Sequence, residues 1–574
     1  MEDMKKDYKF VEPYKNVQIN LPDGRALSGP RGAAVGEFLK LLEDDVQPPI
    51  VGAIINGELR ELTYAIEIES NVTPLRLGTA DGMRIYRRSL TFLLEMAFSR
   101  IYSDSYLLVD HSIFSGGYYC KVEGREELSE KELMELEAEM RRLVEADLPF
   151  EKKRVPLDEA IAYFQAKGMH DKVRLIKHRK KDYLVLYSIG DYRDYHHGYM
   201  VPSSGFIRWF ALILMEGGFA LKYPRRNSPM EIQPIIQNPK LLYTFRDYGK
   251  WLERLEIENV GALNDAILEG RIQEVILVSE ALHERRIAAI ASEIVKRAED
   301  VRVVLVAGPS SSGKTTFSKR LSIQLLAHGI SPFPLEMDNF FVERTKTPRD
   351  ASGEYDFEHI DAINRQRLNQ DILKLIAGEY VRLPNFDFVN GTSTEGEEVQ
   401  LEPGQMVIVE GIHGLNPELL PEVPEERTFR VYCSALTQLN LDRHNRVSTT
   451  DTRLVRRIVR DDRTRGYSPQ ETIQRWESVR RGEKRYIFPY QENADVMFNS
   501  ALIYELSALR LLAEPLLRQV PLKTEEHIEV KRLLALLEWF LPLDATLIPD
   551  NSILLEFIGG NILKSFKLWK RQIL

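Results

Sequence analysis

The sequence predicts a multidomain α/β protein whose C-terminal half holds a three-layer domain on a parallel sheet. Its 574 residues exceed what one hydrophobic core can organise, so three or four domains are expected. Short apolar runs at Val303–Val306, Met406–Val409 and Phe429–Cys433 have the near-continuous aliphatic character of strands buried on both faces. A helical segment from Lys314 to Ala327 lies between the first two, and strands alternating with helices imply parallel order.

The bulk properties narrow the field. Hydrophobic residues make up 44% and charged residues 28%, an ordinary globular balance that excludes wholesale disorder. A net charge of −9 argues against a general polyanion binder, while leaving room for a local basic patch. The two cysteines, Cys120 and Cys433, show no CxxC or Cys/His spacing, which fits a reducing compartment and supports no disulfide framework. Met1 to Phe10 is polar and lacks the apolar core of a signal peptide. The most apolar stretch, Phe206 to Leu221, is interrupted by Arg208 and Glu216 and is too short to span a bilayer. The expectation is a cytoplasmic protein with no membrane partner.

Along the chain, residues 16–77 read as a small strand-rich module. Val17, Ile19 and Leu21 alternate with polar residues, Pro22-Asp23-Gly24 marks a turn, and Asn56-Gly57 is a two-residue hairpin signal. Residues 78–225 mix strands and helices. Glu127 to Glu145 predicts an amphipathic helix with Leu133, Leu136, Met140 and Leu143 on one face, and Tyr183 to Ser188 alternates like a strand. Residues 226–300 read as a helical connector. The strand–helix alternation occupies 301–515, and 516–574 is a largely helical tail.

Gly308-Pro309-Ser310-Ser311-Ser312-Gly313-Lys314-Thr315 matches GxxxxGK[ST] in full, after an apolar strand and before a helix. Its glycines let backbone N–H groups turn inward around phosphate oxygens, and the helix adds its positive end. Lys314 suits the β- and γ-phosphates, and the Thr315 hydroxyl suits Mg²⁺. Glu410 ends a predicted strand, where a carboxylate can order Mg²⁺ or its water. Asp338 lies in a loop before two aromatics and could accept the proton of an acceptor hydroxyl. Arg453, Arg456, Arg457 and Arg460 recur at helical spacing as a cationic stripe suited to charge on a transferring phosphoryl group. The competing reading of each is ordinary: a strand-end acid, a structural loop Asp, a solvated helix face.

Together these pieces resemble the uridine kinase and phosphoribulokinase family of P-loop kinases, with uridine-cytidine kinases nearest in pattern. Asp356-Phe357-Glu358-His359-Ile360-Asp361-Ala362, Leu383-Pro384-Asn385-Phe386-Asp387-Phe388 and Glu410-Gly411-Ile412 complete the match. The resemblance implies ATP held by Gly308, Ser310, Ser311, Ser312, Gly313, Lys314, Thr315 and Thr316. It implies Asp338 as general base, Thr315 and Glu410 around Mg²⁺, Glu358 near ribose hydroxyls, and Arg453, Arg456 and Arg460 on a lid over the phosphates. Where that family reads a pyrimidine with Tyr and His, this chain has Phe386 and Gly391, so a ring can still be stacked but polar reading is lost. About Thr437 to Thr450 is extra sequence.

Residues 16–77 resemble a TGS domain, of β-grasp type, through Leu21-Pro22-Asp23-Gly24 and Val51–Gly57. Residues 78–225 resemble the α+β editing domain of threonyl-tRNA synthetases through Gly116-Gly117-Tyr118-Tyr119, Glu145–Pro149 and Val201–Phe206. That family's HxxxH and CxxxH pairs read here as Arg88 and Phe92, then His196 and Met200, so neither editing nor a metal site is expected. The adjacent His196-His197 is expected on the surface. Three functions stay open: a nucleoside kinase, a kinase of a sugar phosphate or other small alcohol, and a nucleotide-dependent switch whose N-terminal half contacts RNA or the ribosome. The resemblance also allows a homo-oligomer.

Overall fold

Alternation of apolar and polar residues builds the first sheet of the protein, seen in a computed structural model that describes residues 12, 14–43, 47–350, 353–388 and 390–566. The polar stretch Met1 to Phe10 and the end of the tail lie outside the described residues. The chain divides into two compact units. The first takes residues up to 163, 180–236 and 521–528; the second takes 164–179, 237–520 and the chain from 529 onward.

In the first unit, β1 (Asn16–Asn20), β2 (Ala26–Pro30), α1 (Val35–Leu39), β3 (Ile50–Ile55), β4 (Glu58–Arg60) and β5 (Ser70–Arg76) make one sheet in the order β2-β1-β5-β3-β4, with α1 against it. Ile19, Val35, Phe38, Ile50 and Val72 fill its core. Asn56 and Gly57 join β3 to β4 with φ of 50° and 80°, the left-handed pair that a two-residue turn of matching twist requires. Next come α2 (Ala80–Ile101), β6 (Tyr106–Ser112), β7 (Tyr118–Glu123), α3 (Glu130–Glu145), β8 (Glu151–Pro156) and α4 (Leu157–Ala166), whose residues from 164 belong to the second unit. The helix α3 begins three residues later than its amphipathic pattern suggested, because Ser129 and Glu132 close a capping box there. Its buried face is the expected Leu133, Leu136, Met140 and Leu143. After α5 (His170–Ile176), which belongs to the second unit, come β9 (Tyr183–Ile189), β10 (Tyr192–Asp194), β11 (Ala211–Met215) and β12 (Gly218–Lys222). They complete an antiparallel sheet β11-β12-β7-β6 and a smaller one, β10-β9-β8.

His196 is not on the surface: it is 8% exposed, and its Nε2 lies 3.1 Å from Glu95 Oε2, with Asp194 close by. A buried carboxylate gives an imidazole a stronger partner than water would. Phe92 packs edge-on to His196 and Tyr192, and Arg88 donates to the Tyr199 carbonyl at 2.5 Å.

The second unit opens with α6 (Pro239–Leu255), α7 (Val260–Leu268) and α8 (Ile272–Lys296). Then follow β13 (Val303–Ala307), α9 (Lys314–Ala327), β14 (Pro332–Glu336), α10 (Arg365–Ile376), β15 (Val381–Asp387), β16 (Thr392–Val399), β17 (Met406–Gly411) and β18 (Thr428–Ser434). The chain ends with α11 (Thr449–Arg465), α12 (Pro469–Tyr486), β19 (Val496–Asn499), α13 (Glu505–Leu517), α14 (Glu525–Leu537) and α15 (Leu555–Ile558). The sheet β14-β17-β13-β18-β19 is parallel throughout, with β13 at its centre, and β15–β16 is a separate hairpin. All five residues of β13 are buried, as its aliphatic run requires. The chain therefore leaves β13 at the carboxyl edge of the sheet, where ligands of such folds bind.

The extra sequence before α11 packs on α5. Lys172 Nζ lies 3.1 Å from Asp442 Oδ1 with both side chains fully buried, and Arg443 Nε reaches Asp171 Oδ1 at 2.9 Å. Removing one member of a buried pair strands the other charge. Lys172→Met is expected to destabilise the second unit by about 3 kcal/mol, read by chemical denaturation; an unchanged midpoint would mean the pair contributes nothing.

Candidate active site

The turn after β13 is fixed by sterics. A Cβ at Gly308 would lie 1.9 Å from the Cys433 carbonyl oxygen on β18, so only glycine fits. Ser311 and Gly313 have φ of 58° and 83°, the left-handed conformations by which such loops aim successive N–H groups at one point. The carbonyls then face the protein, and each meets a donor. Arg453 Nε donates to Ser310 O at 2.9 Å, Arg456 Nη1 to Ser311 O at 3.5 Å, and Lys314 Nζ to Pro309 O at 3.2 Å. Ser312 O accepts from the Ser500 hydroxyl and from Cys433 Sγ. Arg457 Nη1 donates to Ser310 Oγ at 2.8 Å.

This placement differs from the expected lid. Arg453 and Arg456 are 1% and 0% exposed, and they lie on the carbonyl side of the loop. Arg453 pairs with Glu483 and Arg456 with Glu505. Burial alone would push the Glu483 carboxyl up, but Arg453 and Arg480 outweigh it and hold it below its ordinary value. Arg460 sits further along α11, where Asp461 takes its guanidinium at 2.8 Å.

On the open side, Thr315 Oγ1 is 3.1 Å from Glu410 Oε2, and Lys314 Nζ is 4.0 Å from Glu410 Oε1. Burial pushes the Glu410 carboxyl up to about 7, with Asp338 and Glu556 adding to the rise against Lys314. A hydroxyl and a carboxylate short of positive charge form a hard-oxygen donor set, which fits Mg²⁺. Asp338 stands on a short 3₁₀ turn, Met337–Phe340, just after β14. Its side chain is exposed, yet the protein around it raises its carboxyl, while Lys314, Arg465 and Arg460 pull the other way. Thr316 N–H donates to Glu556 Oε2 at 3.0 Å.

Glu358 faces α12 at Gly482, where a Cβ would lie 2.2 Å from its own Cβ. Burial and the nearby Glu483 raise the Glu358 carboxyl to about 7, and its Oε2 meets no donor among the described residues. Phe386 is 7% exposed, packed against Phe341 and Phe388 with ring centres 5.6 and 5.0 Å away. Little of its ring remains for stacking. The open ring surface belongs to Phe357 and Phe388, 42% and 55% exposed. Beside Gly391 the Arg344 side chain fills the space a Cβ would need, and its Nη2 donates to Phe388 O at 2.6 Å.

Sequence reasoning missed Glu483, Glu505, Ser500, Gly482 and Glu556. Glu483 left a trace, since it interrupts the apolar face of α12 formed by Ile473, Trp476, Val479 and Tyr486. Nothing near Glu556 marks it out. Gly308→Ala is expected to abolish nucleotide binding in a titration with ADP while the circular dichroism of the chain is kept, because the added Cβ must push the loop off β18; wild-type affinity in that variant would contradict the steric account.

Residues 303–505 match the model of the Phosphoribulokinase / Uridine kinase family. The N-terminal region is similar to threonine–tRNA ligases. The enzyme of Bacillus velezensis is 30% identical over 204 residues, 35% of this chain and 32% of that protein. Threonine–tRNA ligase 2 of Bacillus subtilis is 28% identical over 207 residues, 36% of this chain and 32% of that protein. The chain thus spans about a third of the length of these relatives. Among solved structures, a "Possible Uridine Kinase" from Bacillus stearothermophilus is 23% identical and covers 36% of this chain and 99% of its own, with a TM-score of 0.24. The chain therefore joins a segment that matches the model of the phosphoribulokinase and uridine kinase family to an N-terminal region similar to threonine–tRNA ligases.

Proposed function

We propose that the protein transfers the γ-phosphoryl group of ATP to a hydroxyl of a small molecule, with a nucleoside as first acceptor and its 5′-monophosphate as product. The observation that carries this reading is Asp338, a carboxylate in the charge field of Lys314 and Arg460 at the mouth of the loop. A nucleotide switch needs no base for a substrate hydroxyl. In this reading the acceptor O–H gives its proton to Asp338, the oxygen attacks the γ-phosphorus, and the bond to the β-phosphate oxygen breaks to release ADP. The loop from Gly308 through Ser310, Ser311, Ser312 and Gly313 to Thr316 binds the phosphates, and Lys314 reaches the β- and γ-groups. Mg²⁺ held through Thr315 and Glu410 would neutralise phosphate charge. Arg460, with Arg465, places positive charge toward the transferring group. Arg453 and Arg456 act as positioning residues that hold the loop.

Glu358 is proposed to accept from ribose hydroxyls, and the open faces of Phe357 and Phe388 to stack on the base. With no polar reader at Phe386 or Gly391, stacking would tolerate both purines and pyrimidines. Arg344 beside Gly391 favours a second reading, a phosphorylated acceptor such as a sugar phosphate, since a guanidinium suits that anion.

The test is ADP release from ATP·Mg²⁺ across a panel of nucleosides and sugar phosphates. One acceptor should stimulate release, and Asp338→Asn should lower kcat by roughly 10²–10⁴-fold. If no acceptor stimulates and the variant equals wild type, the kinase reading falls and a nucleotide-dependent switch with RNA contact through the N-terminal half replaces it. Gly482→Ala, which drives a methyl into Glu358, should raise the acceptor KM with ADP affinity unchanged. Because the raised Glu358 carboxyl is charged only above about pH 7, the acceptor KM should rise as pH falls below that value. Glu358→Gln should flatten this profile, and a wild-type profile retained in that variant would assign the titration elsewhere.

A further inference from the structure

The segment after α14 returns to the phosphate loop. A Cβ at Gly313 would lie 2.5 Å from Ile553 Cγ2, so Ile553 lies directly against the loop's last glycine. Asn561 Nδ2 donates to Thr316 Oγ1 at 3.3 Å, and Lys319 Nζ donates to Leu563 O at 2.8 Å. On the other side, Arg463 Nη1 donates to Phe557 O at 3.3 Å, and the Arg456 guanidinium lies 4.9 Å above the Phe557 ring. Ile553, Leu554 and Phe557 are fully buried, so this segment is anchored against the loop.

The first turn of α9 exposes N–H groups that no helical carbonyl can satisfy, and its positive end is the reason the loop attracts phosphate. The N–H of Thr316, one residue past the motif, is in this turn, and its partner is the Glu556 carboxylate at 3.0 Å. That carboxylate also bears electrostatically on Glu410. An anionic oxygen from the chain's own tail thus sits on a donor of the phosphate cradle. Two anions cannot share it without repulsion in so crowded a place.

We propose that Glu556 is a built-in competitor of nucleotide phosphate: its carboxylate occupies the start of α9, and the phosphate chain must displace it to bind. The proposal rests on the reading of the loop as a nucleotide site. The backbone of the segment need not leave, because Ile553 and Phe557 anchor it. Only the side chain on one-turn α15 has to swing, which keeps the competitor at hand after each release.

The experiment measures the binding of adenosine, ADP and ATP to the full-length wild type and to Glu556→Gln by calorimetry, without Mg²⁺. Omitting the ion separates phosphate competition from metal ligation. Removing the charge should tighten ADP and ATP by about five- to twentyfold, the worth of one partly buried charge at a helix terminus. Adenosine, which carries no phosphate, should be unaffected, and a merely structural Glu556 would not produce that split. Equal affinities in the two proteins, or weaker ADP binding in the variant, overturn the proposal. If neither protein binds ADP or ATP, the nucleotide reading itself fails. Glu556→Ser serves as the second variant should the Gln protein not fold.

Discussion

A loop that turns its N–H groups toward a ligand must turn its carbonyls the other way, into protein where water cannot serve them. That constraint organises much of the second unit. Ser310, Ser311 and Ser312 each direct a carbonyl inward, and their donors come from α11, β18 and the residue after β19. Buried guanidiniums need counter-charges in turn, so α12 supplies Glu483 and α13 supplies Glu505. The Arg-rich stripe, which as an isolated helix would lie in solvent, is drawn into the interior by this chain of demands. Side chains of three helices, α11, α12 and α13, thus preorganise the loop from its carbonyl side.

The parallel sheet was legible because its central strands are aliphatic runs. Its edges were harder to read: β14 contains two prolines, which sequence rules place outside central strands, and β19 is four residues long. The loop motif stood out because its chemistry is local, fixed by glycines, a lysine and a hydroxyl in a row. Glu483, Glu505 and Glu556 reach the loop or its supporting arginines across 30 to 240 positions of chain, and no spacing rule reaches that far. His196 was misread for the same reason: its polar neighbours in sequence suggest a surface loop, whereas its partner Glu95 lies on α2, 101 residues upstream.

In the region similar to threonine–tRNA ligases, two positions expected to carry function in the resembling family are core residues. Phe92, at a position where the resembling family carries a ligand-type side chain, is fully buried among Phe150, Tyr192 and His196. Met200 is likewise core. Both side chains are spent on packing, which stabilises the fold of this region.

The pair between Lys172 and Asp442 has a consequence for biosynthesis. The two residues are 270 positions apart, and α5, which carries Lys172, is encoded between stretches of the first unit. As the chain emerges from the ribosome, α5 appears long before the residues that neutralise it. The second unit cannot close its core until most of the protein has been made, so the early-made half must wait with an ammonium destined for the interior still in water. A gene cut between the two units would have to be cut more than once, and a simple N-terminal fragment would carry off a helix that belongs to its neighbour.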